Sequence, residues 1–266
     1  ATVRIPGVLQ RIAVVALGCA AAELFLRSRV LVGVIAALLV GYTLILVAVP
    51  HPDAGRPLLS PDAHWPAWLD DHVFGAHTWR GPGDPEGVLS SLGALATGLI
   101  GVLAGRVLLA RETPAARGRS LVVAGAVAMG FGALALLFVP VAKDVWTASY
   151  ALLTAGAALL VLAGLEAWLG GRSERPAGMV RGAFEVFGRQ ALLAYVLAHL
   201  VSDVSIHVLR WSWADGTQSL HTLIYRDLLV PWLPPVIASL VYSLLVLAGV
   251  WALVGWLDRR GVRLRV

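Results

Sequence analysis

Residues 86–110 read EGVLSSLGALATGLIGVLAGRVLLA, and this stretch decides the fold class of the chain. A membrane-spanning helix needs roughly 20 mostly apolar residues, and the segment from Leu92 to Gly105 holds no charged side chain. Small residues recur along it at roughly helical intervals, at Gly93, Gly98, Gly101 and Gly105. Because small residues let neighbouring helices approach closely in a bilayer, we predict a transmembrane helix that packs through its glycines.

The same length criterion, applied to the rest of the chain, predicts an all-α fold. The chain has 266 residues, of which 58% are hydrophobic and 14% charged, and its mean hydropathy is +0.79. This composition excludes a soluble globular protein. Six further apolar stretches of spanning length lie at about 8–26, 30–49, 120–141, 146–169, 184–206 and 229–257. We therefore predict one domain over 1–266, a polytopic bundle of about seven transmembrane helices in a lipid bilayer, in the inner membrane if the source is bacterial.

Charge gives the expected orientation. Arginines concentrate in alternate connections, around 27–29, 106–119, 172–181 and 259–265. Short arginine-rich loops stay in the cytoplasm, so we expect the N-terminus outside and the C-terminus in the cytoplasm. The net charge of +5 is too small to indicate a nucleic-acid partner. The chain begins with Ala1, and we expect it to be a fragment that further spans precede.

The long connection 50–85 is rich in aspartate, histidine and tryptophan. Its Pro-Trp and Trp-Leu-Asp-Asp pieces favour a short surface helix. Four interpretations stay open for its histidines: a metal site, an inert acidic loop with aromatic anchors, recognition of a polar substrate such as a sugar, and general base chemistry. Since the histidines lack regular ligand spacing, we expect no metal. His77 is the best-placed candidate base.

Polar side chains also occur inside the predicted spans, where they are costly and often functional. Glu23 should pair with Arg27 one turn along its helix. Two further groups could line an aqueous cavity or mark where a helix leaves the membrane. They are Trp146, Ser149 and Tyr150 near the start of one span, and Arg189, Gln190, Tyr195 and His199 in another.

Four separated motifs resemble one family. They are VRIPGVLQR at 3–11, DPEGVLSS at 84–91 after Gly-Ala-His at 75–77, WTASY at 146–150, and GRQALLAY at 188–195. In order and spacing they are similar to the heparan-alpha-glucosaminide N-acetyltransferase family and its bacterial relatives, over nearly the whole chain. Two features depart from that family: Gln190 stands where the family has asparagine, and the family's catalytic histidine would precede residue 1.

The resemblance implies a membrane acyltransferase that moves an acetyl or acyl group from acetyl-CoA to glucosamine or another glycan acceptor. An amine attacks a thioester only when neutral, so the site needs a base and donors for the developing oxyanion. Candidate catalytic residues are His77, Asp84 and Glu86. Candidates for binding acyl-CoA or acceptor are Arg4, Arg11, Trp146, Ser149, Tyr150, Arg189, Gln190, Tyr195 and His199.

Two other functions remain open. The polar stripe could conduct a solute in a transporter or permease, although transport would favour broken spans in paired halves, which the sequence does not display. The chain could also be a non-catalytic, truncated membrane scaffold. In either case, as in the enzyme, the bundle could pair as a homodimer.

Overall fold

The computed structural model describes residues 3–60, 63–79, 83–110, 113–170, 179–213 and 216–262. The described chain is mainly helical, and seven of its helices are long and apolar enough to cross a membrane, which confirms the predicted all-α architecture. The helices are α1 (Val8–Phe25), α2 (Ser28–Ala48), α3 (Trp65–Phe74), α4 (Ser90–Ala110), α5 (Pro114–Ala135), α6 (Ala148–Gly170), α7 (Met179–Arg189), α8 (Ala191–Asp203), α9 (Leu220–Thr222) and α10 (Pro235–Arg259).

Short elements fill the connections. Strands β1 (Leu59–Ser60) and β2 (Ala63–His64) form a small antiparallel hairpin before α3, and β3 (Arg210–Trp213) pairs antiparallel with β4 (Gly216–Ser219). The predicted surface helix of the long connection is present as α3. His64 caps its start, because the His64 side chain accepts a hydrogen bond from the Ala67 amide, and a proline at the second helical position suits the first turn.

The chain divides into two compact units, Ala1–Ser173 and Glu174–Val266. In the first unit, α1, α2, α4 and α6 share an apolar core that includes Leu31, Leu39, Leu99 and Ala151. Helices α5 and α6 pack closely through glycines: a side chain at Gly132 would meet the Leu153 amide nitrogen at 2.9 Å. Small residues therefore set the helix spacing, as expected for packing within a bilayer.

The helices of the first unit alternate in direction, so their ends form two groups. The loop end is where α1, α4 and α6 begin and α2 and α5 end, together with the connection 49–89. The opposite end is where α1, α4 and α6 end and α2 and α5 begin. At the opposite end, Glu23 pairs with Arg106 of α4 at 2.7 Å. The predicted pairing of Glu23 with Arg27 is wrong, because α1 ends at Phe25 and Arg27 lies beyond its last turn.

The second unit contains α7 to α10. The predicted span 184–206 is interrupted at Gln190, which separates α7 from α8 and lies outside helical geometry, with φ −126° and ψ 32°. Its amide is fully buried and donates to Asp258 and to the Val262 carbonyl, at 3.0 and 3.1 Å. A π-helical turn, Val204–Val208, extends α8, and a second one, Leu223–Leu229, follows α9. The spanning helix therefore starts at Ala191, later than predicted.

Candidate functional site

At the loop end, side chains from distant parts of the chain form a polar group that we call the loop-end cluster: Arg4, Arg11, Asp70, His77, Asp84, Glu86 and Trp146. Its centre is an ion pair in which Arg4 Nε and Nη2 donate to the two carboxylate oxygens of Asp84, at 2.9 and 2.5 Å. Arg4 Nη2 also donates to Glu86. The guanidinium lies 4.6 Å above the Trp79 ring, a cation–π arrangement that adds to the ion pair.

Asp84 is the most fully bonded carboxylate of the cluster. Besides Arg4, the amides of Trp79 and Glu86 donate to it at 2.8 and 2.9 Å. Burial alone would raise the pKa of Asp84, but the hydrogen bonds from Arg4 and from these amides outweigh it and hold the pKa below its usual range. Asp84 is therefore ionised at neutral pH and orients Arg4 and the backbone of Trp79 and Glu86.

The sequence predicted that Glu86 begins the third span, whereas α4 begins at Ser90. The Asp84 to Gly87 segment instead forms a turn closed by a hydrogen bond from the Gly87 amide to the Asp84 carbonyl, at 2.9 Å. This turn aims both carboxylates at Arg4. The two acids thus neutralise the Arg4 cation.

Asp70 of α3 is a member of the cluster that sequence reasoning missed. It is fully buried and accepts hydrogen bonds from the amides of Val88 and Asp84, at 2.9 and 3.4 Å. Burial raises its pKa to about 6. Any side chain at Gly87 would collide with this carboxylate, which explains the glycine of the Asp-Pro-Glu-Gly element. The adjacent Asp71 is exposed, and nothing in a pair of neighbouring aspartates indicates which one faces inward.

His77 is exposed, and it is fixed to the segment that carries Arg4. Its Nδ1 lies 2.7 Å from the Val3 carbonyl, and the Ile5 amide donates to the His77 carbonyl at 2.9 Å. A carbonyl oxygen can only accept, so Nδ1 carries the proton of the neutral ring. Nε2 is then left with a lone pair, which is the form that a general base requires.

Arg11 contrasts with Arg4, because no carboxylate of the described residues forms an ion pair with it, although Glu86 and Asp84 lie near enough to act on its charge. Its side chain is 8% exposed, and its Nη2 donates to Ser90 Oγ at 2.6 Å and to the Pro85 carbonyl. The Arg11 Nε is buried without a hydrogen-bond partner. A buried cation without a directly bonded anion is costly, and the charges of Glu86 and Asp84 offset part of that cost.

Trp146 covers Arg11 and has a strained backbone. The Arg11 guanidinium lies 5.0 Å from its ring, and φ of Trp146 is +53°, a value that bulky residues rarely adopt. Three contacts hold this conformation. Trp146 Nε1 donates to Thr97 Oγ1 at 3.1 Å, Tyr42 donates to the Val145 carbonyl at 2.5 Å, and Gly93 leaves room for the Trp146 carbonyl. Strained residues of this kind cluster at functional sites.

The neighbours of Trp146 differ in their surroundings. Ser149 is fully buried and donates to the Pro140 carbonyl at 2.7 Å, which ties the loop before α6 to its first turn. Tyr150 lies edge-on to Trp146 with ring centroids 5.3 Å apart. Tyr150 thus extends the aromatic surface beside Arg11, whereas the Ser149 hydroxyl is already used within the fold.

The remaining predicted residues lie in the second unit. Arg189 and Gln190 both donate to Asp258, at 3.0 Å each, and so join the start of α8 to the end of α10. The rings of Tyr195 and His199 lie 4.3 Å apart, and His199 Nδ1 is 3.1 Å from the Tyr195 carbonyl. Their participation in a site with the loop-end cluster stays a prediction.

The described residues contain no group of three or more histidine, cysteine or acidic side chains placed to hold a metal ion. In comparisons with known proteins, no family model matches the chain. No curated protein matches it significantly either.

Proposed function

We propose that this protein is a membrane-embedded acyltransferase that moves an acetyl or other acyl group from acyl-CoA to an amino sugar or glycan acceptor. One observation carries the proposal. Two segments that carry the family resemblance, 3–11 and 84–91, are about 80 residues apart yet bind each other through Arg4 to Asp84 and Arg11 to Ser90. His77, from the Gly-Ala-His stretch that precedes the second motif, bonds to the first motif through the Val3 carbonyl.

The roles follow from protonation and charge. His77, with its Nε2 lone pair, accepts a proton from the acceptor's nitrogen as that nitrogen attacks the thioester carbon. A C–N bond forms, the C–S bond breaks, and the imidazolium returns the proton to the departing CoA sulfur. Arg11 supplies a buried cation for the negative charge that develops on the thioester oxygen. Arg4 is already neutralised by Asp84 and Glu86, so it positions the loop instead of binding the CoA phosphates.

Acyl transfer is tested with the full-length protein in native-like membranes. Radiolabelled acetyl-CoA is supplied with a panel of amino sugars and hydroxyl sugars, and labelled product is counted. We expect transfer to at least one amino sugar. His77→Ala should reduce the rate by a factor of about 10² to 10⁴, the usual contribution of a general base.

His207→Ala is the matched control, because this histidine is also exposed but lies in the π-helical turn of the second unit. Its transfer rate should equal that of the unsubstituted protein. Absence of label on every acceptor would refute the proposed reaction. Full activity in His77→Ala would remove this histidine from the mechanism.

A further inference from the structure

The connection between α2 and α3, together with α3 itself, forms an open cavity with polar groups in its wall, outside the loop-end cluster. Its volume is about 200 Å³, smaller than the roughly 300 Å³ at which pockets for drug-sized ligands begin. The cavity uses a different face of α3 from the one that presents Asp70. Its lining is His51, Asp53, Ala63, His64, Ala67, Trp68, Asp71 and His72. The cavity therefore suits a small polar ligand.

Two of its histidines present hydrogen-bond donors. His51 and His64 are 5% and 8% exposed. His51 Nδ1 accepts a hydrogen bond from the Asp53 amide at 3.3 Å, and His64 Nδ1 accepts one from the Ala67 amide at 3.1 Å. The proton of each neutral ring is therefore on Nε2. Burial and the nearby His51 lower the pKa of His64, which keeps that ring neutral at pH 7. Neither Nε2 has a hydrogen-bond partner within the described part of the chain.

The other polar groups of the cavity are acceptors. Asp53 and Asp71 are exposed carboxylates, and neither forms an ion pair with a lysine or arginine of the described residues. His72 Nδ1 donates to the Trp68 carbonyl at 2.7 Å, so its Nε2 accepts, and its ring stacks on Trp68 at 3.9 Å. With two carboxylates and a neutral His64, the cavity attracts a cation that also carries a hydrogen-bond acceptor.

We propose that this cavity binds a small primary ammonium compound with an oxygen beside its amine, which is the chemistry of an amino alcohol. The ammonium donates to Asp53 and Asp71, and the oxygen accepts from the Nε2 groups of His51 and His64. No described set of three side chains here is placed for a metal ion. A quaternary ammonium would lack the N–H donors that the carboxylates need.

The position of the cavity allows two sources for such a ligand. His51 follows the last residue of α2, Ala48, by three positions, so it lies within about 10 Å of the end of that spanning helix. Trp65 Nε1 donates to the Val49 carbonyl at 3.1 Å, which fits the tryptophan enrichment of membrane interfaces. The amino alcohol could then be free in solution or the headgroup of an ethanolamine lipid.

Binding is tested by calorimetric titration of the full-length protein in detergent with ethanolamine. Ethanolamine should bind, whereas ethylene glycol and tetramethylammonium should not. Asp71→Asn and, separately, Asp53→Asn should each weaken ethanolamine binding about tenfold or more, because a hydrogen bond to a charged group is lost. Both side chains are exposed, so both variants should fold. Asp203→Asn, an exposed carboxylate of the second unit, is the matched control and should bind normally.

The proposal is overturned if ethanolamine does not bind, or if both cavity variants bind it as tightly as the unsubstituted protein. The source is distinguished by mass spectrometry of lipids retained from mixed phosphatidylethanolamine and phosphatidylcholine membranes. Selective loss of retained phosphatidylethanolamine in Asp71→Asn supports the lipid headgroup as the ligand of the cavity. Unchanged lipid retention together with weakened ethanolamine binding supports the free amine. Neither measurement requires acyl transfer, so the outcome is separate from that of the proposed enzyme activity.

Discussion

The two ends of the first unit both depend on arginine, but they use it differently. At the opposite end, Arg106 donates to the Glu23 carboxylate at 2.7 Å and to the Leu26 carbonyl at 2.8 Å. Nη1 donates to Ser28 Oγ, and Nη2, which bonds Leu26, also lies within 3.3 Å of the carbonyls of Ala22 and Glu23. These carbonyls lie at the end of α1, where helices leave acceptors unsatisfied. Arg117 similarly pairs with Glu166 and joins α5 to α6.

At the loop end, Arg11 is buried with an unpaired Nε beside a tryptophan that has a positive φ. Folding gains nothing from an unsatisfied donor or from a strained backbone. Arg106 and Arg117 are thus explained by helix packing, whereas the buried Arg11 donor and the strained Trp146 backbone at the loop end are not. This difference is the physical reason to propose the loop end as the place of the acyl transfer.

The largest effect on stability is expected for Arg4→Ala. Removing Arg4 leaves the buried Asp84 carboxylate without its counterion, which should lower the free energy of unfolding by about 3 kcal/mol. Arg117→Ala removes a more accessible pair and should cost about 1 kcal/mol or less. Chemical unfolding in one detergent measures both. Adding Asp84→Asn to Arg4→Ala should restore part of the loss, and equal costs for Arg4→Ala and Arg117→Ala would contradict the contrast between the ends.

A pH dependence follows from Asp70, whose pKa is about 6 in the folded protein and near 4 in an unfolded chain. Between these values the folded protein retains a proton that the unfolded chain has released. The free energy of unfolding should therefore fall as pH rises from about 4 to about 6, by at most about 3 kcal/mol. Asp70→Asn should remove this slope. Asp71→Asn, which changes the exposed neighbour, should retain it, and a slope that survives in Asp70→Asn would refute the assignment.

A smaller effect on stability is expected to distinguish alanine substitutions at two glycines of α4. A side chain at Gly93 would collide with the Trp146 carbonyl, whereas one at Gly101 would meet no atom within 4 Å. Gly93→Ala should therefore cost about 2 kcal/mol and disturb Trp146. Gly101→Ala should be neutral or stabilising by up to about 1 kcal/mol, because alanine favours helix. Melting temperatures and tryptophan fluorescence provide the comparison. Equal tolerance of both alanines would show that Gly93 does not support the strained turn.

The sequence predicted much of the fold because spans depend on local composition. Runs of about 20 apolar residues are visible without knowledge of their neighbours, and α3 was predicted from its own residues. Contacts between distant segments were harder to predict. The pairing of Glu23 with Arg106, 83 residues away, depends on which helices are adjacent.

In the candidate site too, local motifs predicted some residues, whereas others depend on contacts between distant segments. His77, Asp84, Glu86 and Arg11 were named from motifs, and the structure adds Asp70, whose burial depends on the rotation of α3 against Gly87. The positive φ of Trp146 has no local signal, since neither its own identity nor that of its neighbours demands it. It is imposed by Tyr42, Gly93 and Thr97, which come from other helices.

The most direct test of the contrast between the two ends measures acetyl transfer and melting temperature together, in full-length Arg11→Gln and Arg106→Gln. Arg11→Gln should lower the transfer rate per folded molecule about 100-fold or more, as removal of an oxyanion donor does, whatever the loss of its bonds to Ser90 and Pro85 does to the melting temperature. Arg106→Gln should lower the melting temperature while the transfer rate per folded molecule is unchanged. Undiminished transfer in Arg11→Gln, or a loss of transfer confined to Arg106→Gln, would contradict a catalytic loop end.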